Sequence, residues 1–154
     1  MNKISNVVAF DISKASTGIA RMVDGDLAFF NTIKFKDSAD WDDQITRFLS
    51  RRKPDLVVFS ETVNKMCSHS TNRILYGLMY HLEHICYQLG ISVIPINDTP
   101  AKHSIGVKMK KREQIKADTI DWARQTYGLD VTDDEADAIC FAHYALHSLD
   151  LEEV

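Results

Sequence analysis

The sequence predicts an α/β fold with a five-stranded mixed sheet, an antiparallel meander for the first three strands, and helices on both faces. Short apolar runs rich in β-branched residues crowd the first third of the chain, and later runs alternate with longer segments of helical periodicity. Strands joined by tight turns pair antiparallel, whereas strands that alternate with helices favour parallel pairing. With 154 residues, 45% of them apolar, the chain is expected to form one domain over 1–154.

The first three strands are predicted over about 4–11, 17–23 and 27–35. Between the second and third lies Asp24-Gly25, a favourable hairpin turn because its glycine accepts a positive φ. The spacing therefore predicts that these strands are adjacent and antiparallel.

A helix and a buried strand are predicted next, over 40–52 and 55–60. The helix shows one apolar face, formed by Trp41, Ile45, Phe48 and Leu49. Lys53-Pro54 ends it, because proline cannot continue a helix. The strand that follows is an unbroken apolar run, which is typical of parallel strands covered on both faces.

A long helix is predicted over 70–89, ended by Gly90 and followed by a fifth strand over 91–96. Its expected core face consists of Ile74, Leu78, Leu82, Ile85 and Leu89. A second set of apolar residues lies off that face: Leu75, Tyr76, Met79, Tyr80 and Tyr87. This surplus indicates either a partner helix, and thus a dimer, or a helix buried on two sides within one chain.

The last third is predicted to contain a loop over 97–109 and helices over 111–127 and 133–149. The expected core face of the final helix consists of Ala136, Ile139, Cys140, His143 and Leu146.

Composition excludes several classes of protein. The chain has no apolar run near the roughly 20 residues that a membrane-spanning helix needs, and its first residues lead straight into a strand, which argues against a signal peptide. Its three cysteines, Cys67, Cys86 and Cys140, are far apart and lack metal-ligand spacing. These features predict a cytoplasmic protein with reduced thiols.

Charge is distributed unevenly along the chain. The net charge of the chain is −4. Residues 129–154 contain eight acids and no Lys or Arg. The segment 102–116 instead carries one acid, Glu113, against six basic residues: Lys102, Lys108, Lys110, Lys111, Arg112 and Lys116. Positive charge gathered in one segment favours a polyanionic partner, although a solvated loop with spare lysines remains the alternative.

Carboxylates follow two of the buried strands and also lie on the final helix. Asp11 ends strand one and Glu61 follows strand four, at the carboxyl ends of strands, where ligands bind in such folds. If these strands are parallel neighbours, the two carboxylates converge to within several ångströms. Asp134 and Asp137 lie one turn apart on one helical face. A hard cation such as Mg²⁺ would compensate four converging carboxylates, and a pair of such ions can hydrolyse a phosphodiester.

Three of the acids, Asp11, Glu61 and Asp134, also have a structural interpretation. An aspartate after a strand is commonly a turn former. Thr132-Asp-Asp-Glu135 is a capping box, in which acids stabilise the helix N-terminus. Capping does not explain Asp137, which lies beyond the first turn.

Taken together, the motifs resemble RuvC, the Holliday junction resolvase of the RNase H-like superfamily. The matching features are D-x5-T-G (Asp11, Thr17, Gly18), Glu61, D-x-x-D-A (Asp134 to Ala138), Gly77 in the long helix, and Gly106 followed by Arg112-Glu-Gln-Ile115. They occur in the family's order over nearly the whole chain. Ile12-Ser13 replaces the Pro-Gly of bacterial members and is more similar to the viral and phage branch.

The resemblance implies a homodimeric endonuclease that resolves four-way DNA junctions in recombination and repair. It would make paired nicks with two Mg²⁺ ions per site, for which Mn²⁺ could substitute, and leave 5′-phosphate and 3′-hydroxyl ends. The matching positions make Asp11, Glu61, Asp134 and Asp137 the catalytic, metal-binding carboxylates.

The basic residues are the expected DNA contacts. The main candidates are Lys108, Lys110, Lys111 and Arg112, and the weaker ones are Lys14, Lys102 and Arg73. Arg112 stands where the family has a lysine, and because arginine does not lose its proton, a general-acid role would have to pass to Lys111 or another group.

Other functions stay open at the level of sequence. The family's base-stacking aromatic after the strand-four acid is replaced by Thr62-Val63-Asn64, with Met66 or Tyr76 as possible substitutes. A broader branched-DNA (fork or flap) or RNA nuclease of the same fold is therefore one alternative. A junction-binding protein without catalysis is another. The phosphate loop of an actin-like ATPase is a third, but that fold needs two such domains.

Overall fold

The computed structural model describes residues 3–61 and 68–149. In chain order its elements are β1 (Asn6–Ile12), β2 (Ser16–Val23), β3 (Asp26–Lys34), α1 (Ser38–Arg52), β4 (Leu56–Ser60), α2 (His69–Leu89), β5 (Ser92–Ile96), α3 (Asp98–Ser104), α4 (Arg112–Tyr127) and α5 (Asp133–His147). The strands form a five-stranded sheet in the order β3-β2-β1-β4-β5. β1, β2 and β3 pair antiparallel, and β1, β4 and β5 pair parallel. The predicted mixed sheet is confirmed.

β1 lies at the centre of the sheet, and its residues alternate between two apolar layers. Val7 and Ala9 face one layer, where α5 covers the sheet together with α3 and α4. Val8 and Phe10 face the other layer, which α1 and α2 cover. All four side chains are fully buried. Helices therefore cover both faces, and the central strand is fixed by packing on each side.

One prediction is wrong in the last third of the chain. The segment predicted as a loop over 97–109 contains the short helix α3, Asp98–Ser104. Seven residues are too few to show an amphipathic repeat, and the helix is held by tertiary packing, since Ala101 and Lys102 are buried. The other predicted boundaries differ from the observed ones by at most two residues.

The predicted core faces of two helices need correction. On α2, Ile74 and Leu89 are 41% and 37% exposed, while Met79 and Cys86 are buried instead. The buried face of α2 therefore spans fewer turns of the helix, and covers more of its circumference, than the periodicity predicted. On α5 the buried set includes Ala138, Phe141, Ala142 and Ala145, because the helix lies between the sheet and two other helices, whereas His143 and Leu146 are only half-buried.

Cys86 and Cys140 are buried free thiols, and burial raises the pKa of each to about 12. Cys67 lies outside the described residues. Of the helices in 3–61 and 68–149, none is long and apolar enough to cross a membrane.

Candidate active site

The parallel strands bring their carboxyl ends to one edge of the sheet. Asp11 is the second-last residue of β1, Glu61 follows β4, and Asp98 comes two residues after the end of β5. A backbone hydrogen bond connects the ends of β4 and β5: the Glu61 N–H donates to the Ile96 carbonyl at 3.0 Å. β1 and β4 are parallel neighbours, so the backbones of Asp11 and Glu61 lie at one edge of the sheet. The convergence of their carboxylates stays a prediction.

α5 delivers the next two acids by a close approach to β2. A Cβ placed on Gly18 would lie 2.2 Å from the backbone oxygen of Asp134, so only glycine fits beneath the helix N-terminus. The Ser16 hydroxyl donates a hydrogen bond to Asp134 Oδ2 at 2.9 Å. The glycine of the T-G motif thus allows the approach, and the serine fixes the carboxylate.

Two neighbouring features are structural. The buried Thr17 hydroxyl accepts a hydrogen bond from the Trp41 indole N–H at 3.0 Å, which ties α1 to the sheet. Thr132 and Glu135 form the predicted capping box at the start of α5. Both features hold the elements that carry the acids.

A cavity of about 530 Å³ opens at this edge. The acids that line it are Asp11, Asp98, Asp133, Asp134 and Asp137. The cations that line it are Lys14, Lys102, Lys110, Arg112 and Lys116. Glu61 is exposed and is not among the lining residues. The structure therefore brings together three of the four acids named from sequence and adds two more. These are Asp133, from the acidic helix N-terminus, and Asp98, which sequence reasoning missed.

Asp98 was missed although a usable signal was present. It follows an apolar strand much as Glu61 does, so the rule that singled out Asp11 and Glu61 would have found it. Its carboxylate accepts a hydrogen bond from the Ser60 hydroxyl, which connects the ends of β4 and β5.

Burial and like charge act together on the acids. Desolvation raises the pKa of Asp11 well above its usual value, and the charges of Asp137, Asp134 and Asp98 raise it further. Desolvation also raises the pKa of Asp137, although Lys102 opposes that shift. The carboxylates thus form a negative site that a cation would stabilise.

Lys102 does not lie on the surface. Its side chain is 4% exposed, and its ammonium group pairs with Asp137. Burial lowers its pKa, but the neighbouring carboxylates of Asp137 and Asp98 outweigh burial and leave the pKa above the usual value. Lys102, which the sequence analysis named as a candidate DNA contact, is therefore a buried, charged lysine within the acidic cavity.

The remaining basic candidates are exposed. Lys110 and Arg112 line the cavity, as does Lys14 from the turn after β1. Lys108 and Lys111 are exposed in the same segment as Lys110, while Arg73 is exposed near the start of α2. Lys116 also lines the cavity, where it pairs with Asp133 at 3.0 Å.

The outer face of α2 presents aromatic side chains. Tyr76, Tyr80 and Tyr87 are 43%, 68% and 84% exposed, whereas Met79 belongs to the core. Thr62, Val63, Asn64 and Met66, which bear on base stacking, lie outside the described residues.

The donor chemistry fits a hard divalent cation. The acids that line the cavity offer carboxylate oxygens, the ligands that Mg²⁺ and Mn²⁺ prefer. Among the described residues, no group of three His, Cys, Asp or Glu side chains lies close enough together to bind one ion. Two of the acids, Asp134 and Asp137, are instead held by Ser16 and Lys102.

Comparison with known proteins identifies the fold. No protein-family model matches the chain, and no curated protein sequence matches it significantly. T. thermophilus RuvC in complex with a Holliday junction substrate aligns with a TM-score of 0.73 and 16% identity, over 93% of this chain and 96% of that chain. The Fowlpox virus resolvase in complex with Holliday junction DNA aligns at 0.66 and 17%, over 93% and 97%.

The yeast mitochondrial Holliday junction resolvase Ydc2 aligns with a TM-score of 0.65 and 13% identity, over 93% of this chain and 78% of that chain. The three structures come from a bacterium, a virus and a mitochondrion, and each matches nearly all of this chain. The chain has the RuvC-like fold that the motifs led us to expect.

Proposed function

We propose that this protein is a divalent-metal-dependent endonuclease that resolves four-way DNA junctions by paired nicks. One observation carries the proposal: a cavity lined by converging carboxylates and rimmed by exposed cations opens at the carboxyl edge of a RuvC-like sheet. An acidic centre suits hydrolysis of a phosphodiester with a bound cation, and a basic rim suits the flanking phosphates.

The acids are proposed to hold the catalytic cation. Asp11 is placed by the buried central strand, and Asp134 and Asp137 are placed by α5. Glu61, which starts from the same edge, is proposed as a further ligand. A Mg²⁺ or Mn²⁺ ion bound there would activate water and stabilise the leaving 3′-hydroxyl, so that the cut leaves a 5′-phosphate.

The exposed cations are proposed to orient the DNA. Lys110, Arg112 and Lys14 line the cavity and would contact the phosphates beside the cut, while Lys108, Lys111 and Arg73 would extend the contact. Arg112 keeps its proton and can hold a phosphate through two hydrogen bonds. Its role is therefore positioning and charge neutralisation, not proton donation.

Paired nicks require two active sites, and we propose a homodimer. The exposed tyrosines of α2, Tyr76, Tyr80 and Tyr87, give one helix face with more aromatic surface than a solvated helix needs. Light scattering of the purified protein should give twice the mass of the 17.5 kDa chain. A single-chain mass at micromolar concentration would contradict the dimer.

A broader nuclease is a second candidate, favoured by Thr62-Val63-Asn64 in place of an aromatic residue. Without a stacking side chain, forks, flaps or RNA could be cut as readily as four-way junctions. A panel of labelled branched substrates separates the two candidates, because a resolvase cuts the four-way junction fastest and at paired positions.

The decisive test is cleavage of a labelled four-way junction with Mg²⁺, with EDTA, and by Asp11→Asn. We expect paired cuts near the crossover, lost in EDTA and lowered by at least about a thousandfold in the variant. Asp26→Asn, at an exposed aspartate of β3, is the matched control and should cut normally. Junction binding without cleavage by the wild type would instead indicate a binding protein.

A further inference from the structure

Two histidines lie against each other at the C-terminal end of α5, away from the acidic cavity. His143 and His147 are four residues apart, so they occupy the same face of the helix on successive turns. Their ring centroids are 4.4 Å apart. The last cavity-lining acid on this helix, Asp137, precedes His143 by a rise of about 9 Å along the helix axis. The histidine pair is therefore separate from the candidate active site.

His143 has a ring nitrogen that no other group uses. Its Nδ1 is buried and has no hydrogen-bond partner in the described part of the chain. Buried polar atoms are nearly always paired, so an unpaired imidazole nitrogen suggests a place for an ion or a water molecule. The Trp122 ring packs edge-on against His143, with 5.2 Å between the centroids. The imidazole is thus held by packing, and no hydrogen bond competes for this nitrogen.

The chemistry of the pair suits a transition-metal ion. Burial lowers the pKa of His143, and the charge of His147 lowers it further, so the His143 ring is neutral at pH 7. Neutral imidazole is a common ligand of Zn²⁺, Cu²⁺ and Ni²⁺, whereas Mg²⁺ and Mn²⁺ prefer carboxylate oxygens. Because metal–nitrogen bonds are about 2.0–2.1 Å long, two imidazoles on one ion have centroids roughly 4.5–5.2 Å apart. The observed spacing is close to that range.

His147 leaves room for an ion with further ligands. Its side chain is exposed, and it lines a cavity of about 280 Å³ beside the turn at Asp24. Lys3 and Asp24 line the same cavity and supply one charge of each sign. Since the described residues contain no group of three His, Cys, Asp or Glu side chains that could hold an ion, water would fill the remaining coordination positions.

We propose that His143 and His147 chelate a transition-metal ion of the Zn²⁺, Cu²⁺ or Ni²⁺ class at the C-terminal end of α5. The two rings are brought together by the helix, so the pair exists only where the last turns of α5 are formed. An ion that needs both rings binds the folded chain more tightly than the unfolded chain and stabilises it.

Cu²⁺–iminodiacetate is the probe for this site, because the chelator leaves adjacent coordination positions that two imidazoles can fill. The complex is titrated into the full chain with excess Mg²⁺, which competes for the carboxylates. Electron paramagnetic resonance should show two imidazole nitrogens on each bound copper ion. The fluorescence of Trp122 should be quenched, because its ring packs against His143. Trp122→Phe leaves Trp41 as the only tryptophan and should lose most of the quenching.

His147→Ala removes one ligand at an exposed position, so the fold should be unchanged in its circular dichroism. We expect copper affinity to fall at least about tenfold, since a single imidazole binds without the help of a second ligand on the same chain. The bound complex should raise the thermal midpoint of the wild type by a few degrees and that of His147→Ala much less. His69→Ala, at an exposed histidine with no histidine four residues away, is the matched control and should bind normally.

The outcomes do not depend on the proposed nuclease. Two-nitrogen binding that is lost in His147→Ala and kept in His69→Ala would support the site, whether or not the protein cuts a junction. Equal affinity in the wild type and His147→Ala would overturn it, as would a signal from fewer than two nitrogens. Equal losses in His147→Ala and His69→Ala would show unselective binding to surface imidazoles and would also overturn it. His147→Ala should cut junctions at the wild-type rate, because the pair lies outside the acidic cavity.

Discussion

The acidic and basic sides of the candidate site are built differently. Asp11 belongs to a strand that is hydrogen-bonded to neighbours on both sides, and α5, which carries Asp134, is packed tightly against β2 at Gly18. The basic segment 108–112 is exposed, and Lys111, the N-cap residue of α4, makes no side-chain capping hydrogen bond. Packing therefore fixes the acids, whereas little besides the local chain fixes the cations.

The difference follows from the ligand proposed for each side, a metal ion for the acids and DNA phosphates for the cations. Carboxylates that share an ion must converge within a narrow tolerance, whereas a phosphate can be held by a cation from many positions. Cations at a helix N-terminus oppose the helix dipole at a cost of about 0.3–1 kcal/mol each. Changes on the acidic side should consequently have larger effects than single changes on the basic side.

Among substitutions that leave every carboxylate in place, the largest effect is expected from Gly18→Ala, which disrupts the packing of the acidic side. The new methyl group would meet the Asp134 carbonyl, so α5 must move and carry Asp134 with it. We expect cleavage to fall at least about a hundredfold and stability to fall by about 1–3 kcal/mol, the usual cost of overpacking. Junction cleavage and thermal unfolding measure the two effects.

Gly77→Ala is the matched control for that substitution. A Cβ at Gly77, an exposed position of α2, meets nothing within 4 Å. Alanine should therefore stabilise the helix by about 0.5–1 kcal/mol. Equal behaviour of the two alanine variants would show that the close approach at Gly18 does not matter.

The second effect concerns the stability of the metal-free protein. Because the pKa of Asp11 is raised in the folded state, folding binds a proton there, and this carboxylate destabilises the fold as pH rises through that pKa. Asp11→Asn should therefore raise the thermal midpoint in EDTA at pH 8 by a few degrees. The gain should shrink as the pH is lowered towards 4, where the wild-type carboxyl is protonated.

The same thermal midpoints measured with added Mg²⁺ test the role of Asp11 further. The cation should stabilise the wild type by compensating the carboxylates, and should stabilise Asp11→Asn much less. A variant that is less stable than the wild type at pH 8 in EDTA would contradict a repulsive acidic cluster.

A smaller effect is expected from Ser16→Ala. The variant loses the hydroxyl that holds Asp134 but keeps the backbone pairing of β2. We expect roughly a tenfold loss of cleavage, typical of removing a group that orients a ligand, with stability nearly unchanged. Ser13 also contacts Ser16, at 3.1 Å between the hydroxyl oxygens. Ser13→Ala removes this contact but keeps the hydrogen bond from Ser16 to Asp134, so it tests whether the effect of Ser16→Ala arises from Asp134.

The smallest effect is expected on the basic side, from Arg112→Ala. Removing one phosphate contact should weaken junction binding a few-fold and lower the magnitude of the logarithmic salt slope by about one. Lys34→Ala, at an exposed lysine at the end of β3, is the control and should bind normally. Loss of all binding in Arg112→Ala would show that the basic side is as exacting as the acidic one.

Local patterns were sufficient for much of the fold. The apolar runs identified every strand, and the capping box at Thr132 and the glycine after α2 marked helix ends, because such signals involve residues close in sequence. The placement of Asp11 at the sheet edge could also be predicted, since a carboxylate after a buried run must emerge where the strand ends.

Contacts between distant segments could not be read in the same way. Lys102 belonged to a basic cluster by sequence, yet α3 turns it inward onto Asp137, 35 residues away. The contact between Gly18 and Asp134 likewise depends on how closely α5 packs on β2.

The positions of the strands along the chain, the ends of the helices and the residue types available to the site could all be inferred from the amino-acid sequence. Three features depended on how the elements pack: Asp98 joins the acids, Glu61 stays off the cavity wall, and Lys102 is buried with Asp137. Periodicity indicates which face of an element is apolar, whereas the partner of a buried charge is set by the elements that pack around it.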